Sequence, residues 1–128
     1  MSYYASYEGE IKFKEGILEE QIIQTLRIFY KNSTINRLSY ADDPVEINSD
    51  ETGTLCGNFI GYAKYRDDEI VEWMHALKPI CDRISIEYSG EDGSLWRLLF
   101  DSNKGNKIFE QNGRVVYDEP GEEVYYEL

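Results

Sequence analysis

The part of the chain that decides the fold is RISIEYSGEDGSLWRLLFDSNKGNKIFEQNGRVVYD, residues 83–118. Apolar and polar residues alternate through Ile84–Tyr88 and again through Trp96–Phe100, and this period of two is typical of half-buried strands. Gly90–Ser94 and Ser102–Asn106 are rich in Gly, Asn, Asp and Ser, which are turn-forming residues. The pattern therefore predicts strands joined by short loops.

The second feature of this stretch is Asn112-Gly113, a dipeptide that tolerates positive φ and is the strongest two-residue hairpin signal. It predicts a type I′ turn that joins a strand over Lys107–Gln111 to a strand over Arg114–Asp118. With the two strands before it, this hairpin completes an antiparallel meander of four strands. Glu122–Leu128 alternates again and predicts a last edge strand.

The N-terminal part of the chain predicts a strand followed by a helix. Residues 3–14 alternate, and this predicts a half-buried strand. Its expected inner face carries Tyr3, Ala5, Tyr7, Gly9, Ile11 and Phe13. Apolar residues then recur at spacings of four and three, which predicts an amphipathic helix over residues 17–31.

The middle of the chain is less regular. Residues 32–53 are rich in turn residues, with short-strand candidates at Ile35–Tyr40 and Val45–Ile47. Residues 54–65 predict a strand that is weakened or bent by its glycines.

A second helix is predicted to begin at Asp67, because Asp is a good helix cap and acidic residues follow it. Pro79 should end or kink this helix near Lys78. Its expected buried face carries Ile70, Trp73, Met74, Leu77 and Cys81.

Strands that come in runs, with two helices between them, favour an α+β fold over a parallel doubly wound sheet. We expect residues 1–128 to form a single α+β domain with a largely antiparallel sheet and a C-terminal β-meander. Two amphipathic helices are expected to pack on one face of that sheet. No internal repeat or low-complexity linker marks a domain boundary.

The charge of the chain limits what it binds directly. Thirteen Lys and Arg face 25 Asp and Glu, which gives a formal net charge of -12. Contact with phosphates needs clustered Lys and Arg, so direct binding to nucleic acid or to an anionic membrane surface is unfavourable. The hydrophobic fraction of 41% is nevertheless large enough for a folded core.

The expected compartment is the cytoplasm, because the sequence shows neither a secretory leader nor an apolar run that could span a membrane. Cys56 and Cys81 are then expected to be buried thiols rather than a disulfide. Together with His75 they do not supply the four ligands of a structural zinc site. We expect no cofactor and no bound metal.

Residue sets that could catalyse a reaction are sparse. His75 follows Glu72 by three residues, but a di-iron carboxylate site needs a second Glu-x-x-His. The sequence has no Gly-rich phosphate loop and no nucleophile elbow. Neighbouring carboxylates could serve in acid–base work or bind a hard cation, although each pair also fits a turn, a helix cap or an acidic tail. These pairs are Asp42 with Asp43, Asp67 with Asp68, Glu91 with Asp92, and Glu122 with Glu123.

The eleven tyrosines are the most informative aromatic residues. They crowd the first predicted strand and the last segments, where alternation sends neighbours to opposite faces. Exposed Tyr among carboxylates suits a binding surface, because Tyr offers a large contact area at low entropic cost. Tyr is also common at half-buried strand positions without any binding role.

The opening MSYYASYEGEIKFK and the later YSGEDGSLWRLLF and NGRVVYDE resemble a loose group of short bacterial and phage proteins of unknown function. Proteins of that group begin with a Tyr-rich strand ending in Gly-x-Ile and close with a hairpin. The resemblance implies an α+β fold and a mobile-element setting, and it assigns no functional residue. The acidic composition is similar to that of anti-CRISPR inhibitors, which occupy nucleic-acid-binding grooves of host defence proteins.

The first functional hypothesis is therefore a non-enzymatic, acidic protein-binding module. It would act as a phage or mobile-element inhibitor that binds a basic, nucleic-acid-binding host protein, with carboxylates in place of phosphates. The oligomeric state is left open. The candidate partner-binding residues are Glu8, Glu10, Asp42, Asp43, Glu87, Glu91, Asp92, Asp118, Glu119, Glu122, Glu123, Tyr4 and Tyr125.

Two alternatives remain at this stage. One is a small-molecule or metabolite-binding domain with an aromatic-lined pocket between the helices and the sheet. The other is a hydrolase that uses paired carboxylates and a divalent metal. The positions of the carboxylates discriminate among the three: along an outer face, around a concave aromatic pocket, or within metal-ligand distance of one another.

Overall fold

The computed structural model describes residues 3–32, 45–65, 67–118 and 122–127. Within these ranges there are seven strands and two α-helices. The strands are β1 (Tyr4–Phe13), β2 (Glu46–Ser49), β3 (Leu55–Lys64), β4 (Cys81–Gly90), β5 (Leu95–Asp101), β6 (Ile108–Asp118) and β7 (Glu122–Glu127). The helices are α1 (Glu19–Asn32) and α2 (Asp67–Leu77). The α+β composition expected from the sequence is confirmed at this level.

The strands pair in the order β2-β3-β1-β4-β5-β6-β7, and every pairing is antiparallel. β1 is therefore an interior strand that lies between β3 and β4. The side chains of β1 alternate between buried and exposed along its whole length, as its sequence pattern predicts.

The prediction of a turn at Asn112-Gly113 is wrong. Asn112 pairs with Trp96 of β5, and Gly113 pairs with Glu127 of β7, so both residues lie inside the single strand β6. Gly113 is also absent from the glycines with positive φ among the described residues. The six-residue ladder between β6 and β7 provides partners for the second half of β6, and this tertiary pairing overrides the local turn preference.

The end of α2 also differs from the sequence pattern. The helix ends at Leu77, and Lys78–Ile80 form a 3₁₀ turn that contains Pro79, as the proline predicts. Cys81, which was assigned to the buried face of the helix, is instead the first residue of β4. The apolar spacing typical of a helix continues past Pro79 in the sequence, but the α-helix itself ends before this proline.

Between the two helices, Glu46–Ser49 pair with β3, close to the short strand expected at Val45–Ile47. The other short-strand candidate, Ile35–Tyr40, lies outside the described residues.

The buried side chains of strands and helices form one apolar cluster. Ile22 of α1 and Trp73 of α2 belong to it together with Phe13, Phe59 and Ile84 of the sheet. Burial of such side chains is worth roughly 1.5–3 kcal/mol each before the entropy of ordering is subtracted. Neither helix in the described ranges has the length and apolar character needed to cross a bilayer.

Candidate functional site

The face of the sheet that carries the exposed residues of β1 has a row of charged groups. Strand register places Ile60 of β3 beside Glu8 of β1, Glu8 beside Glu87 of β4, and Glu87 beside Arg97 of β5. Directly paired residues of antiparallel strands project from the same face, so these side chains form one line across the sheet.

Glu8 and Glu87 are therefore like charges in direct cross-strand register. Such pairs are destabilising, because the Cβ atoms of cross-strand partners lie only about 4.5–5.5 Å apart. The guanidinium of Arg97 donates from Nε to Oε1 of Gln111 at 2.8 Å and from Nη2 to the same oxygen. Glu8 is exposed, and its carboxylate forms no side-chain hydrogen bond of this kind among the described residues.

Exposed apolar side chains flank this pair. Ile60 is 72% exposed and Tyr62 is 49% exposed. The ring of Tyr62 stacks on the ring of Tyr4, with centroids 5.7 Å apart and planes at 15°. A third exposed residue, Phe109, is 40% exposed and lies further across the same face. Large apolar side chains clustered on an exposed face are typical of interaction surfaces.

These side chains surround a groove of about 680 Å³. We call it the acidic groove. Its side-chain lining consists of Ser6, Glu8, Ile60, Tyr62, Glu87, Ser89 and Leu95. Two carboxylates and two hydroxyls lie between the apolar side chains of β3 and β5, so the groove can hold a cation that also carries apolar groups.

Of the other predicted residues, Glu10 lies next to the groove. It is exposed on the same face, two positions along β1 from Glu8, and pairs with Ser85 of β4. At about 3.4 Å per strand residue, its Cα lies about 7 Å from that of Glu8. The structure therefore brings together Tyr4, Glu8, Glu10 and Glu87 of the candidate set.

Glu91 and Asp92 lie elsewhere, in the turn between β4 and β5. Asp92 Oδ1 accepts a hydrogen bond from Tyr3 Oη and another from the Ser94 backbone N–H at 3.0 Å. The hydrogen bond from Tyr3 lowers the pKa of Asp92 below its usual value. Glu91 Oε1 accepts from the Tyr4 backbone N–H at 3.3 Å. Both carboxylates hold the turn against β1, a role that the sequence pattern did not indicate.

The remaining candidates lie near the C-terminus or outside the described residues. Asp118 pairs with Glu122 and Glu123 pairs with Tyr117, while Tyr125 pairs with Val115 in the ladder of β6 and β7. Asp42, Asp43 and Glu119 lie outside the described residues.

Sequence reasoning missed Ile60 and Tyr62 as site residues. Both were recognised as part of a strand, but residues 54–65 were not divided into two faces. The alternation that runs from Cys56 through Ile60 to Tyr62 is present in the sequence. Assigning the even-numbered and odd-numbered residues of this strand to opposite faces would have separated these side chains from the buried Phe59.

A second concavity lies between α2 and strands β5 and β6. This α2–β6 cleft has a volume of about 450 Å³ and is lined by Tyr65, Val71, His75, Leu98, Asn106, Lys107, Ile108 and Glu110. An adjoining hollow of about 390 Å³ shares His75 and Asn106 with it and is also lined by Lys14, Lys78 and Phe100.

The aromatic residues behind the cleft form a cluster around Trp96. Its ring stacks on Tyr88, with centroids 5.2 Å apart, and meets Tyr65 edge-on at 5.0 Å. Trp96 is buried with tyrosines as its ring partners, whereas the ring of Trp73 packs edge-on against Phe59 at 5.3 Å.

Two polar atoms in this cluster have no hydrogen-bond partner. They are the Tyr88 hydroxyl and the Trp96 indole Nε1, and both are buried. Burial also raises the pKa of Tyr88 well above its usual value. An unpaired buried donor costs about 1–3 kcal/mol.

The described residues contain no group of three or more His, Cys, Asp or Glu side chains placed to hold a metal ion. Cys56 and Cys81 are both free thiols. Burial raises the pKa of Cys81 to about 12, which keeps it as a thiol rather than a nucleophilic thiolate.

No family model, no curated protein and no solved structure matches this chain.

Proposed function

We propose that this protein is a non-enzymatic binding module whose acidic groove receives a basic segment of a protein partner. The proposal includes its use as a phage or mobile-element inhibitor, acting in the cytoplasm, that occupies the nucleic-acid-binding surface of a host defence protein. We also propose that both helices cover the opposite face of the sheet, because Ile22 and Trp73 share a core cluster with the buried residues of β1.

The observation that carries the proposal is the direct register of Glu8 with Glu87 beside the exposed Ile60 and Tyr62. Two unlike features, neighbouring carboxylates and exposed apolar surface, meet at one groove. A cation placed between the carboxylates relieves their repulsion, and the apolar part of the partner covers Ile60 and Tyr62.

Arg is the partner residue that this groove suits best. A guanidinium forms bidentate, charge-assisted hydrogen bonds with carboxylates and also stacks on aromatic rings. The stacked rings of Tyr4 and Tyr62 lie on the same face as Glu8. Carboxylates arranged in this way would compete with phosphates for the Arg and Lys side chains of a nucleic-acid-binding surface.

The test is capture of partners from nuclease-treated host lysate with the tagged wild type and two matched variants. The groove variant is Glu8→Gln/Glu10→Gln/Glu87→Gln. The control variant is Glu15→Gln/Glu51→Gln/Glu72→Gln, which removes the same charge at exposed positions away from the groove. Glu91 and Asp92 are avoided because their loss would also disturb the turn between β4 and β5.

We expect the wild type and the control variant to capture the same basic protein, and the groove variant to lose it. Added nucleic acid that the captured protein binds should displace it from the wild type. Equal capture by both variants, or capture unaffected by competing nucleic acid, would contradict the proposal.

A further inference from the structure

The α2–β6 cleft and the hollow beside it form a second concave region with a charge opposite to that of the whole protein. The formal net charge is -12, yet three lysines, Lys14, Lys78 and Lys107, line this region together with His75. Its one carboxylate is Glu110, which lines the cleft and not the hollow. A local cluster of cations in so acidic a protein is not explained by solubility, since acidic groups provide that elsewhere.

Lys78 is held in a fixed position at the centre of this cluster. Its ammonium Nζ lies 2.9 Å from His75 Nδ1, contacts the Asn106 carbonyl oxygen, and stands 5.7 Å from the centroid of the Phe100 ring. An ammonium has three N–H donors, and these contacts use two of them. No described carboxylate forms an ion pair with Lys78, so one donor and the full charge are left for a ligand.

The contact with Lys78 also assigns a role to each ring nitrogen of His75. Lysine can only donate, so Nδ1 accepts in this contact and Nε2 is the nitrogen left to donate. His75 is exposed and lines both the cleft and the hollow. Its Nε2–H is a second donor at the same place.

The other end of the region is apolar. Tyr65, Val71, Leu98 and Ile108 line the α2–β6 cleft, and Tyr65 contacts the rings of both Tyr88 and Trp96.

From this arrangement we propose that the region binds a small apolar acid, with the carboxylate on Lys78, Lys14 and His75 and the hydrocarbon body in the cleft between α2 and β6. The size suits a molecule of this class, because ligand pockets of a few hundred Å³ lined by apolar side chains and a few polar groups are typical. The proposal does not depend on the acidic groove, which is formed by side chains of the opposite face of the sheet.

The test is a titration of the protein, monitored through its backbone amide NMR signals, with three probes of similar size at constant ionic strength. The probes are phenylacetate, phenylacetamide and phenethylamine. We expect phenylacetate to give saturable shifts for residues of the cleft and hollow, with affinity about tenfold higher than the amide, the size of one charge-assisted hydrogen bond. The amine should bind least.

Two variants separate the ends of the site. Lys78→Gln should weaken phenylacetate about tenfold and leave the amide unchanged, while Lys64→Gln, at an exposed position of β3, should change neither. Val71→Phe fills the cleft and should weaken acid and amide alike.

Three results would overturn the proposal. They are equal binding of the acid and the amine, binding of phenylacetate that Lys78→Gln leaves unchanged, and binding of inorganic phosphate as tight as that of phenylacetate. The last would reduce the region to an oxyanion site without an apolar subsite.

Discussion

Replacing Glu8 by Gln should make the protein more stable, as is common where a functional surface carries unfavourable interactions. Glu8 and Glu87 are cross-strand partners on an exposed face. Two unit charges as close as the Cβ atoms of a cross-strand pair, about 5.5 Å, repel by about 0.75 kcal/mol in water, and carboxylates that point apart repel less. Arg97 lies opposite Glu87 on its other side and offsets part of this. We therefore expect Glu8→Gln to raise the free energy of unfolding by about 0.5 kcal/mol, or the Tm by about 2 °C.

The assay is urea and thermal unfolding of the wild type, Glu8→Gln and Glu15→Gln at low salt and at about 1 M NaCl, where the Debye length falls to about 3 Å. Glu15 is exposed between β1 and α1 and controls for the loss of one negative charge in an acidic protein. The gain in stability should occur in Glu8→Gln and not in Glu15→Gln, and it should disappear at high salt. If Glu8→Gln is no more stable than Glu15→Gln at low salt, the pair is not repulsive and the reasoning for the acidic groove fails.

Gly9→Ala should lower the free energy of unfolding by about 1–3 kcal/mol in urea unfolding, because its Cβ would lie 2.1 Å from the Phe59 ring; unchanged stability would mean that the ring moves aside freely. Asn112→Thr should leave the Tm unchanged or slightly raised, since position 112 is an exposed strand position, whereas a clear loss would indicate a turn with positive φ. Tyr3→Phe should be less stable than the wild type at neutral pH. The hydrogen bond from Tyr3 lowers the pKa of Asp92 from 3.8. The contribution of this hydrogen bond to the free energy of unfolding is therefore fully present above pH 3.8 and is lost as the pH falls through the lowered pKa. A difference between Tyr3→Phe and the wild type that does not shrink as the pH is lowered below 3.8 would contradict this linkage.

The strands and helices were largely predictable from the sequence because each has a local period. The alternation through β1 predicts its two faces, and both are as expected in the structure. Asn112-Gly113 shows where local preference fails, because a turn dipeptide can be absorbed into a strand when partners exist on both sides, and β7 supplies one of them. Cys81 shows that helical spacing cannot be extended past a proline.

The candidate site was less predictable, because it depends on register between distant segments. Glu8 and Glu87 were both proposed as binding residues, but no local pattern says that they are direct partners across β1 and β4. The role of Asp92 depends equally on a contact with Tyr3, 89 residues away in the chain. Tertiary pairing decides which carboxylates gather at a groove and which hold a turn.

The most direct test of the central claim is the association rate constant of the captured partner, measured by stopped-flow or surface binding at about 50 mM and about 500 mM salt. We expect the association rate constant to fall steeply with salt for the wild type and for the control variant Glu15→Gln/Glu51→Gln/Glu72→Gln. The groove variant Glu8→Gln/Glu10→Gln/Glu87→Gln should associate slowly at both salt concentrations. An association rate that is indifferent to salt, or equal for the two variants, would contradict binding through the acidic groove.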